Sequence, residues 1–438
     1  MKQINLGLCG FGTVGKGVFD VLEKNSNLIS LRTGIDFKVK KVLVKNLNKR
    51  RNIFSNEIEF TDKIEDIYND KDIHIVVELI GGVDTAKEII LNSLKNKKSV
   101  VTANKAVLAT FGYDLAKEAE KNKVDLFFEA SVAGGIPIIR VFKETLLSDN
   151  IEYFYGILNG TCNYILTEMT DKGLSFNDAL KEAQEKGYAE SDPTFDIEGI
   201  DAAHKLAILM MLAYNIRFDF NNLYVEGISK ITDRDIEFAN EFGYSIRLLA
   251  IAKKKNSSIE GRVHPVLIKK DSILSNIKGV YNAIYVKSEF LGPSLYYGKG
   301  AGRYPTANSV VADIVDAGLH LINRAKNMKP VFTIKGSRIK KYKIKDINKL
   351  KSKYYLRFSV ADMPGVLSKI SGILGKNNIS IEAVIQKGRV KNMDLPVYIV
   401  MITHESLERD IKKAIKIINN LTICKDETFF MRIEDFNG

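Results

Sequence analysis

MKQINLGLCGFGTVGKG, residues 1–17, runs from a short apolar stretch (Ile4, Leu6, Leu8, Cys9) straight into Gly10-Phe11-Gly12-Thr13-Val14-Gly15. An amphipathic segment follows to about Leu22. A G-x-G-x-x-G spacing alone is weak evidence, but between a strand and a helix it is the fingerprint of a dinucleotide-binding turn. Gly10 permits the tight turn, Gly12 lets the backbone approach a pyrophosphate, and Gly15 lets helix and strand pack closely. Free amides at the helix start face the phosphates, where the helix dipole favours negative charge. The alternative is a glycine-rich strand-to-helix turn that holds no ligand.

Outward from this turn, apolar runs at 4–9, 37–44, 73–79, 99–102 and 124–128 alternate with amphipathic segments such as 85–95 and 105–120. The runs are rich in Val, Ile and Leu and nearly continuous in hydrophobicity, as expected where helices cover both faces of a sheet. The fold class expected is α/β, a Rossmann-type doubly wound parallel sheet with its ligand crevice beyond the carboxyl ends of the strands. At 438 residues and 45% hydrophobic content, the chain has room for about three domains. We assign 1–130 to the dinucleotide domain, with a helix near 306–325 packing back on it, and 131–330 to a less regular α+β domain. A basic linker (331–353) and a small third unit (354–438) follow. In that unit the predicted order β-α-β-β-α-β is ferredoxin-like.

No apolar run approaches the ~20 residues that span a bilayer. The N-terminus does not read as a signal peptide. Three widely spaced cysteines, Cys9, Cys162 and Cys424, form no C-x-x-C, which points to a reducing, cytoplasmic setting without disulfides or structural zinc. The net charge of +12 raises nucleic acid as a partner. However, nine Lys/Arg against one acid lie between Lys335 and Lys353, at a domain junction. They lack the interleaved aromatics of a base-stacking surface. Neither nucleic acid nor membrane is expected as a partner.

The second predicted strand ends Val42-Leu43-Val44-Lys45-Asn46, followed by Lys49, Arg50 and Arg51. A carboxylate there would bond a ribose hydroxyl, whereas cations accommodate a 2′-phosphate. NADP(H) is therefore preferred, the alternative reading being a solvated basic loop. Lys105 follows the fourth strand at the carboxyl edge of the sheet, where a nicotinamide should lie. Asp201 and Lys205 are four apart on one helix face, at the mouth of a segment that is apolar nearly all round. The pair reads equally as a helix cap or as chemistry. Upstream, Glu190, Asp192, Asp196, Glu198 and Asp201 place five carboxylates in twelve residues. A calcium loop fails because Thr194 and Ile197 stand where an acid or amide and a glycine are required. Carboxylates beside lysines suit an amino-acid substrate, with a lysine giving a proton to an oxygen that gains charge during hydride transfer.

The chain resembles the homoserine dehydrogenase family over essentially its full length. The resemblance is carried by Gly10 to Gly15, Glu78-Leu79-Ile80-Gly81-Gly82, Thr102-Ala103-Asn104-Lys105, residues 129–137, Asn159-Gly160-Thr161-Cys162-Asn163, residues 187–205 and residues 298–306. The third unit resembles an ACT domain through Asp362-x-Pro364-Gly365-Val366-Leu367 and Asn378-Ile379-Ser380-Ile381. The resemblance implies interconversion of L-aspartate 4-semialdehyde and L-homoserine with NAD(P)(H). It implies Lys205 as proton donor and Lys105 in contact with cofactor and substrate. Glu190 would hold the substrate amino group, with Asp196, Asp201, Gly160 and Thr161 shaping the pocket. Phe11, Thr13, Val14, Lys45, Thr102, Gly187 and Gly302 would join Gly10, Gly12 and Gly15 around the cofactor. A sodium ion would be held mostly by carbonyl oxygens at Glu129, Val132, Gly134 and Ile136. Threonine, acting at Asp362, Gly365, Val366 and Leu367, is the implied effector, and a homodimer or homotetramer the implied assembly. Lys45 stands where many relatives have Arg, and a lone ammonium grips phosphate less directionally than a guanidinium fork. NAD(H) therefore stays open.

Two rival readings compete: another amino-acid dehydrogenase, which has no use for residues 187–205, and an inactive sensor, which would have lost Lys105 or Lys205.

Overall fold

The structure, a computed structural model, describes residues 2–48, 58–256, 258–324, 329–387 and 396–436. Six parallel strands form the first sheet: β1 (Lys2–Cys9), β2 (Ile35–Leu43), β3 (Glu59–Thr61), β4 (Ile75–Glu78), β5 (Ser99–Thr102) and β6 (Leu126–Phe127). They lie in the order β3-β2-β1-β4-β5-β6, all pairs being parallel. Alternate residues feed opposite faces. Val76 and Val100 pack with Ile89, Ile90, Val107 and Leu108 of the helices Asp84–Lys95 and Lys105–Asn122. Ile75, Val77 and Val101 pack with Val18 and Leu22 of Thr13–Lys24 and with Ala307, Val310 and Ile314 of Arg303–Ile322. That last helix does return to the first domain. A Cβ on Gly17 would stand 2.8 Å from the Arg303 carbonyl oxygen, so only a glycine admits so close a crossing. Arg303 then pairs with Asp20 at 2.5 Å.

The second sheet departs from the domain plan read in the sequence. Its strands are β7 (Ile151–Ile157), β9 (Tyr224–Val225), β10 (Tyr244–Lys255), β11 (Ser258–Lys269), β12 (Tyr281–Ser288), β13 (Gly292–Lys299), β15 (Lys351–Val360), β16 (Ile381–Gln386), β17 (Val397–Thr403), β18 (Ser406–Leu407) and β19 (Phe429–Ile433). The order β13-β12-β7-β10-β11-β19-β15-β17-β16 shows one continuous sheet through both the second and third units. The third unit keeps its β-α-β-β-α-β order, with helices Val366–Lys376 and Glu408–Asn419. Its last strand joins the second unit by the parallel pairs Val266↔Arg432 and Leu267↔Ile433.

Residues 331–353 are not a free linker. Val331, Phe332, Ile344 and Leu350 are buried. β14 (Lys340–Lys341) pairs with β8 (Ile216–Arg217), and Lys345 bridges to Glu260 at 2.7 Å. Most of the segment's cations are solvated, but alternating apolar residues anchor the backbone between them. The helix Ile200–Tyr214 is buried almost all round, which explains its apolar sequence. Among the described residues no helix is long and apolar enough to cross a membrane.

Candidate active site

β1 ends at Cys9 and the chain turns at Gly10, whose φ is +98°. Added Cβ atoms would lie 2.8 Å from the Leu79 carbonyl oxygen at Gly10 and 2.2 Å from the Gly10 carbonyl oxygen at Gly15, whereas Gly12 faces open space. The helix Thr13–Lys24 starts without a side-chain cap, which leaves its first amides for a ligand. Gly10, Phe11, Gly12 and Lys45 line a cleft of about 1310 Å³, together with Lys16, Asn46, Asp62 and Thr85. It exceeds the ~300–1,000 Å³ of ordinary small-ligand pockets, as a dinucleotide requires. Thr13, Val14 and Gly15 supply the first turn of the helix. Lys49, Arg50 and Arg51 lie outside the described residues.

At the end of β4 the buried Glu78 carboxylate accepts from Thr102 Oγ1 at 2.5 Å and from the Ile80 amide at 2.8 Å. Burial pushes Glu78 up to about 7, against the hydrogen bonds from Thr102, Ile80 and Asn104. The Asn104 amide donates to Thr102 Oγ1 at 3.0 Å, and the Asn104 side chain accepts from the Val107 amide, capping Lys105–Asn122. Thr102 is fully buried with its hydroxyl committed to Glu78. It fixes the helix from which Lys105 emerges rather than offering that hydroxyl to a cofactor.

Asp201 is the centre of a buried cluster of charges. Its Oδ1 lies 2.6 Å from Lys105 Nζ, and its Oδ2 2.7 Å from Lys205 Nζ. Asn159 Nδ2 donates to Asp201 Oδ2 at 2.9 Å and to Asp196 Oδ1 at 2.7 Å. Thr161 Oγ1 donates to the Tyr188 carbonyl at 2.7 Å and lies 3.2 Å from Asp196 Oδ2. Lys205 Nζ also donates to the Leu158 carbonyl at 2.6 Å, and Asn282 Nδ2 holds that carbonyl at 3.0 Å. Burial would raise Asp201, but the Lys205 and Lys105 ammonium groups hold it well below the usual carboxylate range. Burial lowers Lys205, Asp201 opposes this, and Lys105 lowers it further. Burial and the Asp201 charge raise Asp196. Lys205 therefore has two of its three N–H groups fixed by protein, is more acidic than a free lysine, and has one donor left.

Known proteins share this sequence and this fold. The homoserine dehydrogenase family model matches residues 137–315, that family's NAD-binding domain residues 10–129, and the ACT domain residues 354–422. A homoserine dehydrogenase of Neisseria gonorrhoeae is 43% identical over 437 residues, covering 100% of both chains. The chain belongs to the homoserine dehydrogenase family. A homoserine dehydrogenase structure from Thiobacillus denitrificans superposes with a TM-score of 0.93 at 43% identity, over 99% of each chain. A hyperthermophilic archaeal homoserine dehydrogenase in complex with NADPH matches at TM-score 0.62 and 28% identity, over 72% of this chain and 98% of its own.

In this homoserine dehydrogenase framework Lys205, Lys105, Asp196, Asp201, Gly160 and Thr161 converge, because Gly160–Lys172 and Ile200–Tyr214 both start beside Asn159 and Asp201. Glu190 is exposed. Its carbonyl accepts from Gln184 Nε2 at 3.1 Å, and its carboxylate has no protein partner among the described residues. Gly187 and Gly302 occupy exposed turns with φ of +71° and +121°. Val366 is buried in the third unit's core, so its side chain is structural and not open to an effector. Asp362, Gly365 and Leu367 are exposed. Sequence reasoning gave no role to Asn159, Asn282, Glu78 or the Leu158 carbonyl. The signal for Asn159 was available, since Asn just before a helix is an N-cap, and its side chain does accept from the Cys162 amide at 2.8 Å. A backbone carbonyl has no sequence signal.

Proposed function

We propose that, in interconverting L-aspartate 4-semialdehyde and L-homoserine, this oxidoreductase uses Lys205 as the proton donor to the substrate oxygen. The observation that carries this reading is the remaining N–H of a buried, acidified ammonium whose other two donors are anchored. When bound, the dihydronicotinamide supplies the hydride. Residues of the Gly10–Gly15 turn hold the pyrophosphate, and Lys105 meets substrate and cofactor from the edge of β5. The Asp201 carboxylate keeps both ammonium groups in place, and the exposed Glu190 carboxylate receives the substrate ammonium. In the reverse direction Lys205 takes the proton back.

NADP(H) is the preferred cofactor. Lys45 and Lys16 line the cleft and no carboxylate ends β2. Lys45 in place of a guanidinium fork, with Asp62 in the same cleft, supports use of NAD(H) as well. Sodium is the proposed structural ion. Backbone carbonyls of Glu129, Val132, Gly134 and Ile136 would hold it, since the Glu129 carboxylate already accepts from the Ile139 and Arg140 amides. The Gly134 and Ile136 carbonyls accept from Ser309 Oγ and the Ile138 amide, and each keeps a second lone pair. A carbonyl set suits a hard monovalent cation. An amino acid, threonine, is the proposed ACT effector. Exposed Phe290, Leu291 and Tyr297 beside the edge strand β13 support a homo-oligomer, dimer or tetramer. Unpaired cysteines support a cytoplasmic setting.

Replacing Lys205 by Ala is expected to lower kcat by ~10²–10⁴-fold with NADPH Kd near normal. The assay is NADPH oxidation with L-aspartate 4-semialdehyde, and unchanged turnover rejects the role.

A further inference from the structure

Arg432, in the last strand of the third unit, is completely buried. Its guanidinium grips Glu408 as a fork, with Nε and Nη2 each 2.7 Å from a carboxylate oxygen. It then reaches across the sheet seam. Nη1 donates to Glu226 Oε2 at 2.8 Å, and Nη2 to Tyr224 Oη at 3.0 Å. Tyr224 Oη in turn donates to Glu226 Oε2 at 2.7 Å. Glu408 is shared with Lys412, whose Nζ lies 2.8 Å from the same carboxylate, so Glu226 supplies the second counter-charge and ties Arg432 to the neighbouring unit.

What Glu226 holds is the floor of the substrate loop. Its amide donates to the Val263 carbonyl, and the Ile228 amide donates to the Ile197 carbonyl, both at 2.8 Å. Between them Gly227 lies so close that a Cβ would stand 2.2 Å from the Ile197 carbonyl oxygen and 2.5 Å from Glu198 Cα. The loop resting on this floor carries Asp196 and enters the helix bearing Asp201 and Lys205. Its exit, Gly199, packs against Val225 and Val263. One carboxylate therefore separates a buried charge of the ACT unit from the backbone beneath the chemistry.

We propose that Arg432 and Glu226 are positioning residues for the reaction: through Gly227 the pair sets the height of residues 196–199, and so the placement of Asp196 and Asp201. This rests on the pocket reading given above. It assigns the C-terminal unit a direct part in substrate affinity, independent of any effector.

The test uses the full chain. The Glu226 side chain is 25% exposed, so its truncation opens no large core cavity. Glu226→Ala is expected to raise KM for L-aspartate 4-semialdehyde about tenfold, leave NADPH Kd within about twofold, and speed amide exchange at residues 196–200. Glu226→Gln, which keeps an acceptor oxygen toward Arg432, is expected to restore much of the KM. Arg432→Gln should act on the same parameter, and the double variant should be no worse than the poorer single one. A KM that stays within about twofold in Glu226→Ala overturns the proposal, as do fully additive losses in the double variant. If the unmodified chain turns over no aldehyde, the reaction reading fails separately. Exchange at 196–200 then decides, and unaltered rates in Glu226→Ala overturn the positioning role.

Discussion

One carboxylate between two ammonium groups keeps a lysine charged while it is buried. Asp201 opposes the lowering of Lys205 by burial, and Lys105 adds to that lowering, the balance the proposed proton donor needs. Lys105 and Lys205 were legible as residue types at strand and helix ends. Their shared partner was legible only as spacing, because spacing does not say that Asn159 and the Leu158 carbonyl complete the set. Glu78 was visible as part of a motif, but its burial was not. Its folded value, about 7, lies above the ordinary 4.5, so the folded state binds more protons and its contribution to stability falls as pH rises from about 4.5 to 7. Glu78→Gln mimics the neutral acid. Its unfolding free energy relative to the unmodified chain should be more favourable at pH 8 than at pH 5, by no more than about 3 kcal/mol. Calorimetry at both pH values checks this, and a pH-independent difference would mean Glu78 is not neutral in the fold.

Among the elements, the apolar strands of the first domain were the easiest to foresee, and β5 matches the expected bounds, whereas the 12-residue β10 and β11 were not anticipated. β3 was missed because three residues, one of them Glu59, carry no periodicity. The helix Gly160–Lys172 shows how a secondary-structure device can serve chemistry. The same Asn159 side chain caps it through its oxygen and holds Asp196 and Asp201 through its nitrogen. Asn159→Asp keeps the capping acceptor but removes both donors and adds a third negative charge. It should fold, yet lose about 10²-fold in kcat/KM, measured with circular dichroism as the control for helix content. Asn159→Ser keeps the cap and adds no charge, so it should lose less.

At the scale of the whole molecule, the sequence signalled three units but not that two of them share a sheet, since strand order is invisible to local patterning. The basic run at 335–353 read as a connector because cations dominate it, whereas Ile344 and Leu350 decide its path. The fused sheet predicts that residues 1–350 will not behave as a free-standing enzyme. Removing the third unit exposes the edge of β11 and takes Glu434 from Arg262, leaving Glu260 as its partner. It also strips Tyr355 and Arg357 from Asp235. A lowered melting transition with aggregation on gel filtration is expected, and an unchanged transition would show that the unit is an add-on.

Twelve residue pairs join β10 to β11, but only two join β11 to β19. Where the backbone ladder narrows, buried side chains carry the junction instead: Arg262 to Glu434, Arg432 to Glu226, and Asp235 to Tyr355 and Arg357. The junction runs along β11, against which the Ile200–Tyr214 helix packs, so the stitching of the C-terminal unit and the footing of the helix that bears Lys205 share one strand.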